Sequence, residues 1–213
     1  LFASTLMLAL SLASCANEDE SLNIQENEYT IEAVVGGSHS RTLLQADSKG
    51  VVWSEGDQIF LFGGKSYGDF TLSNGSGNKV GTFKGTVRGS LDELETALYP
   101  KPIEEDGSYY YDFSANREYT RNSNSPMIGD FSDGNITFQN LVPIVRIVLS
   151  ELSENNDNTL SIEMSDSISG KGIVGRGKVD VENKTITFEP AEGTLKITIP
   201  AGQTSAVVDI PVP

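Results

Sequence analysis

Short stretches in which apolar and polar residues alternate recur along most of the chain. Alternation with a period of two, rich in β-branched and aromatic residues, is typical of half-buried β-strands. The stretches with this pattern are residues 29–35, 58–62, 79–85, 109–113, 135–138, 144–150, 160–164, 177–181, 184–188, 195–199 and 206–212. Turn-forming clusters such as NGSGN and SENNDN separate them. The pattern therefore predicts an all-β fold.

One segment has the spacing of a helix instead. In SLDELETAL, the residues Leu91, Leu94 and Leu98 would fall on one face of a helix. The first four residues of the segment, SLDE, also have the spacing of a capping box. We therefore predict a short helix that crosses one end of a sheet and ends before Pro100.

The alternation lapses for longest in the polar run NREYTRNSNSP, at residues 116–126. No period of about 20 to 50 residues repeats, which argues against a propeller or a solenoid. A length of 213 residues suits one large domain or two small ones. We predict two tandem β-sandwiches, residues 29–135 and 136–213. Because the chain ends in the alternating stretch TSAVVDIPVP, we expect the second sandwich to be incomplete.

The charge of the chain excludes one class of partner. The 30 Asp and Glu residues outnumber the 15 Lys and Arg residues, which gives a formal net charge of -15, and the basic residues form no cluster. The phosphates of a nucleic acid would be repelled, because no basic surface could displace their counterions. We therefore expect no nucleic-acid partner.

Residues 6–13, LMLALSLA, form an apolar tract that ends in small residues. The tract is too short to span a membrane but has the length of the apolar region of a secretory signal. A buried core element is the alternative, but the polar run NEDE follows almost at once. Neither Met nor a basic residue precedes the tract, so we expect the N-terminus to be incomplete. The single cysteine, Cys15, cannot form an internal disulfide.

The sequence offers no clear catalytic or metal-binding constellation. The single histidine, His39, lies in the polar loop GGSHSR, with no second histidine or thiol to build a relay or a metal cluster. The carboxylates that a glycosidase would need lie in polar tracts typical of solvated loops. Residues 130–135, DFSDGN, have calcium-loop spacing but lack the full register and the closing glutamate, so a plain turn is favoured. We predict no enzyme, no cofactor and no metal site.

Two aromatic features have both a structural and a binding interpretation. Trp53 lies in VVWSEGDQIFLF, where a turn at Gly56 and Asp57 precedes a run, residues 59–62, that is dense enough for burial on both sides or at a sandwich centre. We interpret Trp53 as a core residue, with a sugar-stacking platform as the alternative. In YYY, residues 109–111, alternation places at least one ring opposite its neighbours. Packing at an edge strand is favoured there over exposed stacking.

The residues LASC, 12–15, resemble the lipobox of bacterial lipoproteins. This resemblance implies cleavage between Ser14 and Cys15 and attachment of lipid, including palmitate, to Cys15. Residues 1–14 would then be the signal peptide and residues 15–28 an acidic tether. The acidic residues after the cysteine are similar to the surface-export signal of lipoproteins in Gram-negative anaerobes, which implies display on the cell outer membrane.

Residues 40–64, SRTLLQADSKGVVWSEGDQIFLFGG, resemble the N-terminal segment of fimbrillin-like proteins, the type V pilus subunits and related surface lipoproteins. GTFKG, ALYP, SPMIG and FQNLVPIVRIVLS follow in the same order, so the resemblance covers most of the chain. It implies transthyretin-like sandwiches in a structural or adhesive subunit of a fimbria, with other pilus subunits as partners. The alternative is an anchored lipoprotein that binds glycans or a host surface without polymerising.

The resemblance also implies a mechanism of assembly. In fimbrillins an arginine-directed protease cuts in a loop after the first strand, and a strand from another subunit fills the groove that is left. In this sequence the removed strand would be residues 29–35 and the cleavage position would be Arg41. An ordinary loop cation is the alternative for Arg41. The incoming strand would normally come from the C-terminal end, and we expect that part to be missing from this sequence.

Overall fold

The structure is a computed structural model that describes residues 27–36, 52–114, 116–118, 125–162, 173–191 and 194–212. These residues form strands β1 (Asn27–Val35), β2 (Gln58–Gly63), β3 (Ser66–Asn74), β4 (Val80–Arg88), β5 (Thr96–Tyr99), β6 (Ile103–Glu105), β7 (Ser108–Phe113), β8 (Asn116–Glu118), β9 (Met127–Ser132), β10 (Asn135–Asn140), β11 (Ile144–Ser150), β12 (Asn158–Ile162), β13 (Gly175–Asp180), β14 (Thr185–Pro190), β15 (Leu195–Ile199) and β16 (Ser205–Pro211). The predicted all-β fold is confirmed. The part of the chain that the structure describes contains no helix long and apolar enough to cross a membrane.

Seven strands close into a barrel in the order β1-β10-β9-β5-β2-β3-β4, with β4 paired to β1. All neighbours in the barrel are antiparallel except β1 and β10, which run parallel. Because side chains alternate across a strand, every second residue points inward. The barrel core is built from the inward residues Ile31, Ala33, Val35, Ile59, Leu61, Phe70, Phe83, Val87, Ala97, Tyr99, Ile136 and Phe138, together with Trp53.

The wall of the barrel is apolar on both sides at β2. Ile59 and Leu61 belong to the barrel core. Phe60 and Phe62 point outward, with their rings 5.5 Å and 4.5 Å from the ring of Tyr109. The prediction that residues 59–62 are buried on both sides is therefore confirmed.

A four-stranded sheet, in the order β14-β13-β7-β6, packs against the outside of the barrel. The apolar cluster between them includes Leu98 and Ile128 from the barrel wall and Tyr111, Phe113 and Val179 from the sheet. Strand β7 lies between β13 and β6. It is therefore an inner strand, and the prediction that residues 109–111 pack at a sheet edge is wrong.

The remaining strands form a three-stranded sheet, β12-β15-β8, and a two-stranded ribbon, β11-β16. A third apolar cluster joins them, with Leu195, Ile197, Ala206, Val208 and Ile210 among its buried members. The predicted boundary between residues 135 and 136 falls within β10, which pairs with β1 and β9 in the barrel. The four-stranded sheet also combines β6 and β7 with β13 and β14 from beyond that boundary. The tandem-sandwich organisation stays a prediction.

The helix predicted over residues 90–98 is wrong. Only a short 3-10 turn forms, at Leu91–Glu93, and the chain then enters strand β5 between β2 and β9. Leu94 packs into the barrel core, whereas Leu98 packs into the outer cluster against the four-stranded sheet. The two leucines that would share a helical face thus lie in different clusters. Leu94 enters the barrel core from the end of the 3-10 turn, whereas alternation in β5 turns Leu98 to the outer face of the barrel wall.

Candidate functional site

The residues on which the sequence places the processing sites, Ser14, Cys15 and Arg41, lie outside the described residues. So does His39. Strand β1, however, comes between Cys15 and Arg41 in the chain, and the structure describes it fully. The candidate functional site is therefore the groove that holds β1. Strands β4 and β10 form its two sides, and Trp53 covers it from inside the barrel. We call this groove the β1 seat.

Apolar and polar residues alternate in NEYTIEAVV, so that one face of β1 is buried in the barrel and the other faces outward. Ile31, Ala33 and Val35 are buried in the barrel, while the residues between them face outward. Strand β1 pairs antiparallel with β4 from Asn27 to Val34 and parallel with β10 from Glu32 to Val35. The strand thus contributes both backbone hydrogen bonds and a buried apolar face to the barrel.

Trp53 covers β1 from the inside of the barrel. The indole is 1% exposed, and its Nε1 donates a hydrogen bond to the carbonyl oxygen of Ala33 at 3.1 Å. The rings of Phe83, Tyr99 and Phe138 meet it edge to face at 4.9, 5.3 and 5.7 Å between centroids. The interpretation of Trp53 as a core residue is confirmed, and its burial excludes the sugar-stacking alternative. Trp53 itself lies outside the strands.

Gly81 on β4 makes room for the indole. It lies directly opposite Ala33 in the register of β1 and β4. A Cβ atom at residue 81 would lie 2.7 Å from Trp53 Cδ1 and 3.0 Å from Trp53 Nε1. Two adjacent small residues, one on each strand, therefore create the space that the indole fills.

The backbone of Trp53 is held as firmly as its ring. Its N–H donates to the carbonyl of Asn78 at 2.9 Å, and its own carbonyl accepts from the N–H of Gly77 at 2.7 Å. These two bonds join Trp53 to the loop between β3 and β4. The indole therefore has little freedom to move away from β1.

A half-buried carboxylate closes the turn that follows Trp53. Asp57 Oδ2 accepts from the Ser54 N–H at 2.7 Å, and Asp57 Oδ1 accepts from the Tyr99 hydroxyl at 3.0 Å. Gly56 has φ of 84°, so the predicted turn at Gly56 and Asp57 is confirmed. Burial raises the pKa of Asp57, although both hydrogen bonds act in the opposite direction. Burial and the nearby Asp57 carboxylate raise the pKa of Tyr99.

The C-terminal end of β1 is fixed at two backbone positions. The N–H of Val35 donates to the carbonyl of Lys79 at 2.9 Å, and the N–H of Gly36 donates to the carbonyl of Phe138 at 2.8 Å. A Cβ atom at Gly36 would lie 2.3 Å from that same carbonyl oxygen, so the close approach requires glycine. The strand is thus held to its last residues before the segment that contains Arg41.

The other features singled out in the sequence lie away from the β1 seat. Tyr109 and Tyr111 pack toward the barrel, whereas Tyr110 faces the opposite side of its sheet, with the Arg176 guanidinium carbon 4.2 Å from its ring centroid. Asp133 and Gly134, both with positive φ, form the plain turn between β9 and β10. Within the described ranges, no group of three His, Cys, Asp or Glu side chains could hold a metal ion.

Comparisons of this chain with protein-family models, with curated proteins and with solved structures find no match. The contacts of Trp53 with Ala33 and of Asp57 with Tyr99 were not predicted, because the partners lie 20 and 42 residues apart in the sequence. The pairing of distant strands and the position of the turn that precedes β2 bring them together.

Proposed function

We propose that the protein is a structural or adhesive subunit of a fimbria, anchored in the cell outer membrane by lipid on Cys15. It assembles by β-strand addition after a protease cuts at Arg41 and β1 leaves its seat. The observation that supports this proposal most directly is the position of β1. Strand β1 is the first strand of the barrel along the chain, and the segment between it and the next described strand contains Arg41.

Departure of β1 would expose surfaces that another strand could cover. Ile31 and Val35 each bury a side chain, a contribution of about 1.5–3 kcal/mol per residue. The facing edges of β4 and β10 would also lose backbone hydrogen-bond partners. An incoming strand with alternating apolar residues would restore both the apolar burial and the backbone hydrogen bonds, as in other cases of strand addition.

A second copy of the chain contains a segment with a related pattern. The tripeptide Ala-Val-Val of residues 33–35 recurs at residues 206–208, in strand β16. Ala206 and Val208 are buried in their own sheet, as Ala33 and Val35 are in the barrel. In its own chain this segment pairs with β11, so β16 would have to leave that ribbon before it could act as the incoming strand. The proposal keeps two tandem transthyretin-like sandwiches as its architecture, with the boundary moved from residues 135 and 136 to a position after β10, because β10 belongs to the barrel.

The decisive experiment treats the full-length lipoprotein with an arginine-specific protease. We expect a cut after Arg41 and then a ladder of multimers on an unheated denaturing gel. The Arg41→Lys variant should give neither the cut nor the ladder, while the matched control Arg88→Lys should give both. Complete cleavage after Arg41 with no multimers would overturn the proposed assembly.

The anchor is tested separately. In the Cys15→Ala variant we expect lipid labelling to be lost and the protein to leave the outer-membrane fraction. A variant that still takes up lipid label and remains in that fraction would show that Cys15 is not the attachment site. Assembly after cleavage does not depend on the result, because the cut removes the anchor.

A glycan-binding lipoprotein that does not polymerise is the second candidate. The observation that favours it is the outward face of the four-stranded sheet, where Tyr110 lies beside Arg176 and Lys178. Aromatic rings and charged groups on one open sheet face can contact sugars. Binding to a glycan array that is lost in Tyr110→Ala, without multimers after cleavage, would support this candidate instead.

A further inference from the structure

We infer that Trp53 sets a size limit on the strand that the β1 seat accepts. The occupant, a strand of a second copy of the chain, must carry alanine or glycine at the position that Ala33 holds in β1. This inference rests on the proposed function and adds a rule of specificity to it. The rule concerns one side chain and one backbone carbonyl of the incoming strand.

The geometry around Ala33 is the basis of the rule. Across the barrel wall, Ala33 lies between Ile136 on β10 and Gly81 on β4. Ala33 has no solvent exposure, and its carbonyl accepts the hydrogen bond from Trp53 Nε1. The indole therefore lies where two neighbouring strands both lack large side chains.

A larger side chain at position 33 would have to displace the indole. Trp53 cannot yield easily, because three aromatic rings surround it and two backbone hydrogen bonds fix its loop. Insertion of extra methylene groups into a packed core is unfavourable. We expect a leucine at this position to weaken strand binding at least about tenfold. A leucine at the neighbouring outward position, Glu32, would meet no such obstacle.

The chain provides its own reporter for the test. Trp53 is its single tryptophan, so emission excited selectively from tryptophan rather than from the seven tyrosines reports on the β1 seat. The full-length protein is cut after Arg41 and mixed with synthetic peptides of residues 27–36. Peptide uptake is measured by native mass spectrometry and by the change in Trp53 emission. The peptides carry the natural sequence, Ala33→Gly, Ala33→Leu or the matched control Glu32→Leu.

We expect the natural, Ala33→Gly and Glu32→Leu peptides to be taken up at similar concentrations. The Ala33→Leu peptide should need at least about ten times more. Equal uptake of all four peptides would overturn the size limit but leave strand addition intact. Failure of every peptide, the natural one included, would count against the proposed assembly.

Variants of the uncut chain test the size limit even if no peptide is taken up. Ala33→Leu should lower the midpoint of urea unfolding, whereas Glu32→Leu should not. In a Trp53→Phe background, the smaller ring leaves room, so Ala33→Leu should lower the midpoint by less, as followed by circular dichroism. An equal effect of Ala33→Leu in both backgrounds would show that Trp53 does not set the limit.

Discussion

Asp57 holds the turn that carries Trp53 into the barrel. Its carboxylate accepts from the Ser54 N–H and the Tyr99 hydroxyl, and its backbone carbonyl accepts from the N–H of Leu72 at 2.9 Å. Tyr99 in turn meets the Trp53 ring edge to face. Tyr99 therefore connects the Asp57 carboxylate to Trp53, which covers β1.

The raised pKa of Asp57 predicts a pH dependence of stability. Burial lifts the folded-state pKa above the ordinary value of 3.8, so the folded state holds the proton more tightly than the unfolded state. The contribution of Asp57 is therefore most favourable below pH 3.8 and declines as pH rises to the folded-state pKa. Above that pKa it stays constant. Asp57→Asn cannot ionise, so the stability of the wild type relative to this variant should fall across the same window.

The measurement is urea unfolding at a series of pH values, followed by Trp53 fluorescence, for the wild type and Asp57→Asn. Asp92→Asn serves as the control, because Asp92 is exposed in the 3-10 turn. The difference between the wild type and Asp57→Asn should decrease as pH rises from 3.8 and then level off. A difference that is independent of pH, or one that grows with pH, would contradict the assignment.

At the scale of the element, the alternation of apolar and polar residues predicted strands well where no other spacing competed with it. The predictions for residues 144–150 and 195–199 match β11 and β15 residue for residue. Strands β3, β6, β8 and β9 were missed. SYGDFTLSN and MIGDFS contain glycine and polar residues that weaken the pattern, and β6 and β8 have only three residues each. Strand β5 was predicted as helix, since leucines at 91, 94 and 98 satisfy helical spacing. Pairing with β2 and β9 overrides that spacing.

The ribbon of β11 and β16 contains an ion pair between Arg146 and Asp209 in which the Asp209 side chain is almost fully buried. Arg146 Nε and Nη2 donate to the two oxygens of Asp209 at 2.6 and 2.7 Å, and the two residues face each other across the strands. The Asp209 side chain is 7% exposed. Paired in this way the carboxylate is satisfied, but without Arg146 it would be left nearly buried and charged.

We therefore expect Arg146→Met to lower the free energy of unfolding by about 1.5–3 kcal/mol, the value of hydrogen bonds to a charged group. The matched control is Lys101→Met. Lys101 pairs with Asp69 at 2.6 Å, but both side chains are about half exposed, at 48% and 49%. Exposed pairs contribute about 0–1 kcal/mol. Urea unfolding compares the two variants, and equal losses would show that burial of Asp209 does not matter.

At the scale of the whole molecule, the barrel and the four-stranded sheet share one wall. Leu98 on β5 and Ile128 on β9 point out of the barrel into a cluster with Tyr111 and Val179. Lys184, in the turn between β13 and β14, also donates to Asp130 on β9 at 2.6 Å. The sequence predicted all-β structure but not closure of the barrel. Closure depends on the parallel pairing of β1 with β10, about 100 residues apart, and no local pattern encodes that pairing.

The shared wall predicts that the barrel and the sheet unfold together. Leu98→Ala would leave a cavity at their junction and should cost about 2–5 kcal/mol. Trp53 fluorescence reports on the barrel, and hydrogen exchange at the backbone amides of β13 reports on the sheet. The wild type should give the same unfolding free energy by both probes, and Leu98→Ala should lower both equally. Val145→Ala, at an exposed position, should change neither. A loss at Trp53 with unchanged protection in β13 would show instead that the two parts unfold independently.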